Sequence, residues 1–211
     1  MKLKADDINA YLKAVTKKVE EEKNYLSELD RKLGDGDHGV TMSIGFTAVD
    51  KKMDELKDEQ KIKPILTSAG MSFLDAVGSS VGPLYASGLL KAGNSVGDKE
   101  ELSDEDIVTL WSSFVDGVEH RSGAKVGDKT ILDTLIPFRD SLTDSTDTTD
   151  VLEQFKEAVE AGKKGMEETE QMQSSIGRSS RLGERSIGTK DPGATSAYLI
   201  IQAFLDYMQS V

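Results

Sequence analysis

Apolar residues recur at steps of three and four positions along most of the chain. A helix of 3.6 residues per turn places such residues on one face, so the spacing predicts amphipathic α-helices. No stretch shows the apolar–polar alternation of a half-buried strand. Eight segments carry the helical pattern: 8–29, 42–56, 62–76, 85–96, 107–118, 131–142, 152–166 and 194–208. The sequence therefore predicts an all-α fold of eight helices in a single domain, residues 1–211, with the apolar stripes as its core.

The links between the predicted helices are of two kinds. Those after helices two, four and six are plain polar turns: 57–61, 97–102 and 144–149. Those after helices one, three, five and seven are rich in glycine, serine and aspartate. Short links favour antiparallel neighbours, so the four unusual links would lie at one end, beside the N-termini of the even-numbered helices. This pattern predicts a binding site at one end of an up-and-down bundle.

The first unusual loop holds three carboxylates, Asp30, Asp35 and Asp37, with glycines at 34, 36 and 39. One helix face cannot gather these carboxylates, but a glycine-rich bend can. Oxygen ligands in a flexible loop suit Mg²⁺ or Ca²⁺, and a cation would relieve their mutual repulsion. For any one of them, capping a helix or solvating a turn is the alternative. A helical segment precedes the Gly-x-Gly-x-x-Gly spacing, which excludes a dinucleotide fingerprint, and an EF-hand would need a side chain at Gly39.

The other three loops offer groups for an anion. The stretch Gly78-Ser79-Ser80-Val81-Gly82-Pro83 precedes the fourth helix, whose free N–H groups would bind an anion or simply be capped. In the third loop Asp128 is a candidate N-cap, and Lys129 would face either a phosphate or solvent. The fourth loop, about 174–190, carries three arginines in an otherwise acidic chain. A loop of this length is typical of a lid, and a disordered linker is the alternative.

His38 and Asp191 complete the candidate site. His38 adjoins the metal loop and would contact a bound ligand or brace a carboxylate; we favour contact with the ligand. Asp191 and Pro192 are the expected N-cap and first residue of the last helix. Carboxylates, helix N-termini and a basic loop together suit a polyphosphate whose charge Mg²⁺ neutralises. The sequence contains no G-x-x-x-x-G-K-[ST] P-loop.

Composition narrows the classes of function. The chain has 26 Lys and Arg against 38 Asp and Glu, a formal net charge of −12, which argues against nucleic-acid binding. It has no cysteine and two histidines, so disulfides and thiolate metal sites are excluded and a zinc site has few ligands. It shows no apolar run long enough for a membrane span and no signal peptide. We therefore expect a soluble, cytoplasmic protein.

Four motifs, in the same order, make this sequence similar to the nucleotide-binding subunit of bacterial, phosphotransferase-system-dependent dihydroxyacetone (glycerone) kinase. The motifs are Leu29-Asp30 with Gly34 to Gly39, Gly82-Pro83-Leu84-Tyr85, Gly127-Asp128-Lys129-Thr130 with Leu132-Asp133, and Gly177-Arg178 with Leu182 to Gly188 and Asp191 to Ala194. The resemblance covers nearly the whole length. It implies a barrel of eight antiparallel helices with ADP or ATP at one end.

The resemblance also implies roles for individual residues. Asp30, Asp35 and Asp37 would ligate two Mg²⁺ ions. Arg178 would act on the phosphates from the lid as the catalytic residue. Nucleotide contacts are implied for His38, Gly39, Val40, Thr41, Ser79, Ser80, Val81, Ser122, Ile131, Arg178, Asp191, Pro192 and Gly193.

Two partner proteins are implied as well. A phosphohistidine protein of the phosphotransferase system would phosphorylate bound ADP in place, and the ATP would pass its γ-phosphate to dihydroxyacetone on a separate substrate subunit. Neither nucleic acid nor a membrane is expected as a partner, and a homodimer stays open. The sequence departs from the usual motifs at Val81, Ser122 and Thr189. The alternatives are an ATP-exchanging kinase subunit for another small ketose and a nucleotide-binding regulator without turnover.

Overall fold

The computed structural model describes residues 1–144 and 150–211, which form eight α-helices and two short 3-10 segments. The helices are α1 (Ala5–Leu33), α2 (His38–Glu55), α3 (Ile62–Ala76), α4 (Val81–Val96), α5 (Asp104–Ser122), α6 (Leu132–Asp144), α7 (Val151–Glu168) and α8 (Pro192–Met208). The 3-10 segments are Thr169–Gln171 and Ser179–Ser186. The predicted all-α fold of eight helices is confirmed. Of the predicted link 144–149, positions 145–149 lie outside the described residues.

Helices that are adjacent in sequence are also adjacent in space. Each helix packs against the next where the structure describes both, and α8 packs back against α1, which closes the ring into a barrel. The barrel is filled by aromatic rings that meet Trp111 edge to face: Tyr11, Phe114, Phe138, Phe155 and Phe204. Such packing fixes the helices relative to one another. None of the described helices is long and apolar enough to cross a membrane.

The end of the barrel away from the glycine-rich loops is not a plain rim. Leu3–Lys4 (β1) pairs antiparallel with Glu101–Leu102 (β2), a two-residue ladder that the sequence did not predict. Two residues are too few to show an alternating pattern. The N–H of Ile62 also donates to the carbonyl of Lys99 at 2.9 Å. The link between α4 and α5 therefore joins the starts of α1 and α3.

Two glycines set how closely the helices approach near the loops. A Cβ on Gly39 would lie 1.9 Å from the carbonyl oxygen of Lys23, because α2 lies directly on α1 there. A Cβ on Gly165 would lie 1.9 Å from the carbonyl oxygen of Asp133, because α7 lies directly on α6. Any side chain at either position would push two helices apart. The first contact holds the start of α2 against the end of α1, where the three aspartates lie.

Candidate functional site

The four glycine-rich loops converge on one cavity of about 510 Å³. Each loop contributes to its wall, so the four links lie at the same end, as short antiparallel connections require. Several lining residues are ones to which the sequence assigned a ligand role: Asp30, His38, Ser80, Val81, Ser122, Ile131, Arg178, Asp191, Pro192 and Gly193.

Four other predicted nucleotide contacts flank the cavity. Gly39 is buried in the contact between α1 and α2, and Val40 is 44% exposed. Thr41 and Ser79 line a smaller depression of about 100 Å³. These residues do not form the main wall, and their contact with a nucleotide stays a prediction.

Part of the wall was missed by sequence reasoning. The additional lining residues include Leu33, Leu84, Tyr85, Arg121, Ala124, Thr130, Ile176, Ser179 and Ser196. Most of them continue an apolar stripe or lie in a loop without a motif, and a stripe residue at a helix end has the same spacing as one in the core. The available signal was membership of a motif, as for Leu84, Tyr85 and Thr130.

The first loop brings the three carboxylates together. One oxygen from each of Asp30, Asp35 and Asp37 lies within 4.8 Å of the others. Asp30 belongs to the last turn of α1, and the N–H of Gly34 donates to its backbone carbonyl at 2.5 Å. A Cβ on Gly34 would lie 2.6 Å from Oδ1 of Asp30, and Gly36 has φ of +81°. The glycines therefore permit the bend that folds the loop back over Asp30.

Asp30 also caps the next helix. Its Oδ2 accepts hydrogen bonds from the N–H groups of Asp37 at 2.9 Å and His38 at 3.2 Å, at the start of α2. Helix capping was the alternative to metal binding for this residue. Both interpretations fit the structure, because Oδ1 receives no hydrogen bond from the described residues and stays available to a cation.

The crowding of the three carboxylates shows in the pKa of Asp37. Burial raises the pKa of Asp37, and the charges of Asp35 and Asp30 raise it further. Arg178, on the fourth loop, opposes this effect and forms an ion pair with Asp35. Three hard oxygen donors that repel one another fit a divalent cation such as Mg²⁺, which brings twice the charge of the guanidinium.

His38 begins α2 and is 8% exposed. Its Nε2 lies 3.0 Å from Oγ of Ser196, which lies 3.2 Å from the hydroxyl of Tyr85. Burial lowers the pKa of His38 to about 4, although the charge of Asp30 opposes the shift. The ring is thus neutral at neutral pH. Its partner is a serine instead of a carboxylate, which disfavours the bracing interpretation, and the ring forms part of the cavity wall.

The N-termini of α2, α4, α6 and α8 lie at this end, and three of them have an aspartate that accepts from N–H groups at or just before the start of the helix. Asp30 caps α2, Asp133 accepts from the N–H groups just before α6, and Asp191 caps α8. Ser80, the N-cap of α4, makes no capping bond with its side chain. Among the described residues, α4 is therefore the N-terminus here whose partial positive charge is not met by a carboxylate.

The predicted N-cap at Asp128 is wrong. Helix α6 begins at Leu132, and Asp128 instead accepts from the hydroxyl of Ser175 at 2.6 Å. Asp133, inside α6 and buried, takes the ordering role by accepting from the N–H of Gly127 at 2.6 Å. The reason is tertiary: the fourth loop draws Asp128 away from the helix, and Asp133 reaches back to the loop.

Lys129 is buried and does not face solvent, which corrects one of the two predicted alternatives. It lines the cavity, so contact with a phosphate stays a prediction. The residue is 1% exposed, and its Nζ donates to the backbone carbonyl oxygens of Met172 at 3.1 Å and Ser186 at 2.5 Å. A lysine in a polar loop is ordinarily exposed. Here the ends of the fourth loop cover it, at a sequence distance that no local pattern reveals.

Asp191 and Pro192 begin α8 as predicted. The carboxylate accepts from the N–H of Ala194 at 2.7 Å, and Pro192 is the first helical residue. Burial raises the pKa of Asp191 to about 7, and Asp133 also raises it, whereas the Ala194 bond and the charge of Lys129 lower it. The wall beside α8 therefore holds a carboxyl group that titrates close to neutral pH.

A closed eight-helix barrel with acidic and basic loops at one end defines the class of protein. The DAK2 domain family matches residues 32–206, and the chain belongs to this family. The predicted family is thus confirmed.

Three relatives describe the family around this chain. It is 36% identical over 192 residues to "PEP-dependent dihydroxyacetone kinase 2, ADP-binding subunit DhaL" of Listeria innocua, covering 90% of this chain and 89% of that subunit. It is 30% identical over 184 residues to the L-erythrulose 1-kinase of Mycolicibacterium smegmatis, covering 87% of this chain and 32% of that enzyme. The dihydroxyacetone kinase from C. freundii, crystallised with AMP-PNP and Mg²⁺, shares the fold, with a TM-score of 0.71 and 21% identity over 94% of this chain.

This chain matches different fractions of these relatives. The chain spans about one third of the C. freundii and M. smegmatis kinases, but nearly all of the Listeria subunit. All three are kinases or components of kinases. The chain thus corresponds to about one third of the long enzymes and to most of the separate subunit.

Proposed function

We propose that this chain is the ADP- and ATP-binding subunit of a dihydroxyacetone kinase and that it binds its nucleotide with Mg²⁺ in the cavity between the four loops. The observation that carries this proposal is the meeting of three carboxylates, a helix N-terminus free of a carboxylate cap and a loop arginine at one cavity. The name of the Listeria subunit and the nucleotide and metal in the C. freundii kinase support it.

Asp30, Asp35 and Asp37 would hold two Mg²⁺ ions. When bound, Mg²⁺ neutralises phosphate charge and orients the phosphates for transfer. Arg178 is the proposed catalytic residue, because its exposed guanidinium already reaches the carboxylate cluster and could turn to the transferred phosphoryl group. There it would stabilise the charge that develops during transfer.

The cavity offers different surroundings to the two ends of a nucleotide. The phosphates would lie toward Ser79, Ser80 and the N-terminus of α4, as anions do at helix N-termini. The base would lie against the apolar side of the wall, which includes Ile131 and Pro192. The full set of proposed contacts is His38, Gly39, Val40, Thr41, Ser79, Ser80, Val81, Ser122, Ile131, Arg178, Asp191, Pro192 and Gly193.

The reaction would need two partner proteins in the cytoplasm. Bound ADP would be phosphorylated in place: the P–N bond of a phosphohistidine phosphotransferase protein breaks and a P–O bond to the β-phosphate forms. The γ-phosphoryl group would then pass to a hydroxyl oxygen of dihydroxyacetone on a separate subunit, which regenerates ADP. The hydroxyl proton needs a base on that subunit, since His38, with a pKa of about 4, is too weak a base.

The direct test is to denature freshly purified protein without added nucleotide and chromatograph the supernatant. Stoichiometric ADP would support a nucleotide that stays bound and is rephosphorylated in place. Empty protein whose Tm rises with Mg²⁺ and ATP together would support an exchanging kinase subunit. Empty protein whose Tm responds to neither would refute nucleotide binding. Asp35→Asn is the matched variant, and its Tm should rise less than that of the wild type at the same concentrations of Mg²⁺ and nucleotide.

A kinase subunit for another small ketose is the second candidate function. The likeness to an L-erythrulose kinase favours it. Phosphoryl transfer would be measured with dihydroxyacetone and with erythrulose, using the substrate subunit from the same organism. Transfer to erythrulose alone would select this second function.

A further inference from the structure

The buried ammonium group of Lys129 joins both ends of the fourth loop, residues 172–190. Its Nζ donates to the carbonyl oxygen of Met172 at the first end (3.1 Å) and to that of Ser186 near the second (2.5 Å). Hydrogen bonds to a charged donor are stronger than those between neutral groups. Lys129 is 1% exposed and Ser186 is fully buried, so water does not compete for these bonds.

Two further hydrogen bonds close the same base. The N–H of Ser174 donates to Oγ of Ser186 at 2.9 Å, and the N–H of Gly188 donates to the carbonyl of Glu170 at 2.7 Å. Between these closures the chain is exposed at Arg178, Arg181 and Arg185. The fourth loop thus has an exposed tip, which carries the three arginines, and a base that these hydrogen bonds hold together. This differs from the disordered linker that was the alternative from the sequence.

The backbone at Lys129 supports the same interpretation. Its φ is +63°, and no other non-glycine residue that the structure describes has a positive φ. A left-handed conformation in a residue with a side chain is strained and persists where the surroundings hold it. Burial also lowers the pKa of Lys129, while the charges of Asp191 and Glu170 raise it. A glycine would adopt this backbone conformation more easily, so the hydrogen bonds of the lysine side chain must offset the strain.

We infer that Lys129 is a positioning residue whose ammonium group holds the base of the fourth loop, so that Arg178 at the tip faces the carboxylates of the first loop. The inference that Lys129 affects phosphoryl transfer through Arg178 rests on the proposed function. The inference that Lys129 holds the base of the loop is independent of it. Lys129 also lines the cavity, but this role needs no contact with the ligand, because two of its N–H donors are directed to Met172 and Ser186.

Trypsin tests the anchoring without reference to catalysis. Arg178, Arg181 and Arg185 lie in the exposed tip, and cutting there is read from fragment masses of native protein with and without Mg²⁺ and ADP. In Lys129→Met we expect cutting to be faster by roughly tenfold or more, since loss of charge-assisted hydrogen bonds raises the open population by such a factor. Lys125→Met, at an exposed lysine of the same loop region, is the control and should cut like wild type. Equal rates in Lys129→Met and wild type would overturn the anchor.

Two further variants keep the test decisive if Lys129→Met does not fold. If Lys129→Met does not keep the helical content and Tm of a folded chain, Ser186→Ala removes the acceptor of the Ser174 N–H from the same base and should also speed cutting of the tip. Lys129→Arg keeps a cation and should restore part of the protection. Unchanged cutting in Ser186→Ala, or no protection by Lys129→Arg beyond that of Lys129→Met, would contradict the proposed role.

A double-mutant cycle tests the route through Arg178. If Lys129 acts by placing Arg178, Lys129→Met should slow turnover in the wild-type background and have no further effect in Arg178→Ala. Additive losses would mean that Lys129 acts on the ligand directly, and would overturn the positioning role. If Arg178→Ala alone leaves turnover unchanged, the catalytic part of the proposed function fails, while the trypsin result still decides whether Lys129 anchors the loop.

Discussion

Removing the guanidinium of Arg178 should change the binding of Mg²⁺ alone and of Mg²⁺ with ADP in opposite directions. In the ligand-free protein Arg178 is paired with Asp35 and lowers the pKa of Asp37. A cation that enters the cluster competes with the guanidinium, so Arg178→Ala should bind Mg²⁺ alone more tightly. With ADP present, the guanidinium would instead be attracted to the phosphates, so the same variant should bind the Mg²⁺–ADP pair more weakly.

The expected size follows from the exposure of the pair. The side chain of Arg178 is 64% exposed and that of Asp35 is 52% exposed. Exposed ion pairs contribute about 0.2–1 kcal/mol, which corresponds to a gain in Mg²⁺ affinity of roughly 1.4- to 5-fold. Because the pair lies in solvent, salt screens it, and the gain should shrink as ionic strength rises.

Calorimetric titration with MgCl₂ at low and at moderate ionic strength would measure this gain. Arg181→Ala is the matched control, because Arg181 lies on the same loop and its side chain makes no ion pair with the described residues. A weaker Mg²⁺ affinity in Arg178→Ala without nucleotide would refute the reasoning, since it would mean that Arg178 supports the metal loop. A gain of the same size in Arg181→Ala would show a general charge effect instead of a specific competition.

Three further predictions concern single groups at the site. Asp35→Asn should lower Mg²⁺ affinity roughly tenfold or more, since a charged oxygen ligand is lost, and unchanged affinity in calorimetry would contradict the metal assignment. Ser196→Ala leaves His38 and Tyr85 without their buried partner and should cost about 1–3 kcal/mol in urea unfolding; a loss of a few tenths would mean that neither group depends on it. Asp191 has a pKa of about 7 in the folded protein against its ordinary 3.8. Between these pH values the folded state binds more protons than the unfolded state, so the free energy of unfolding should fall as pH rises from 3.8 to about 7. Asp191→Asn should flatten this fall in urea unfolding measured across the same pH range, and an unchanged slope would assign the pH dependence to another group.

Local sequence pattern was sufficient for the helices and for several site residues. The stripes from Ile8 and from Ile62 predict their helices because helical periodicity depends on residues three and four apart. Asp191 with Pro192 was recognised as a helix start, since an N-cap bonds within its own first turn. The cluster of Asp30, Asp35 and Asp37 was recognisable for the same reason, because its members and the glycines that bend the loop lie within a few residues.

The tertiary structure alone decided the contacts between residues that are far apart in sequence. Lys129 meets Ser186 across 57 positions and His38 meets Ser196 across 158. A local window contains only one member of each pair, so a loop lysine looks exposed and a helical serine looks like part of the core. Whether a polar group is buried with a partner, faces a ligand or faces water depends on which loops the closed barrel brings together. The sequence thus determined the helices, the loop of three aspartates and the end of the barrel that carries the candidate site, and the packing of the four loops determined which partner each polar side chain meets there.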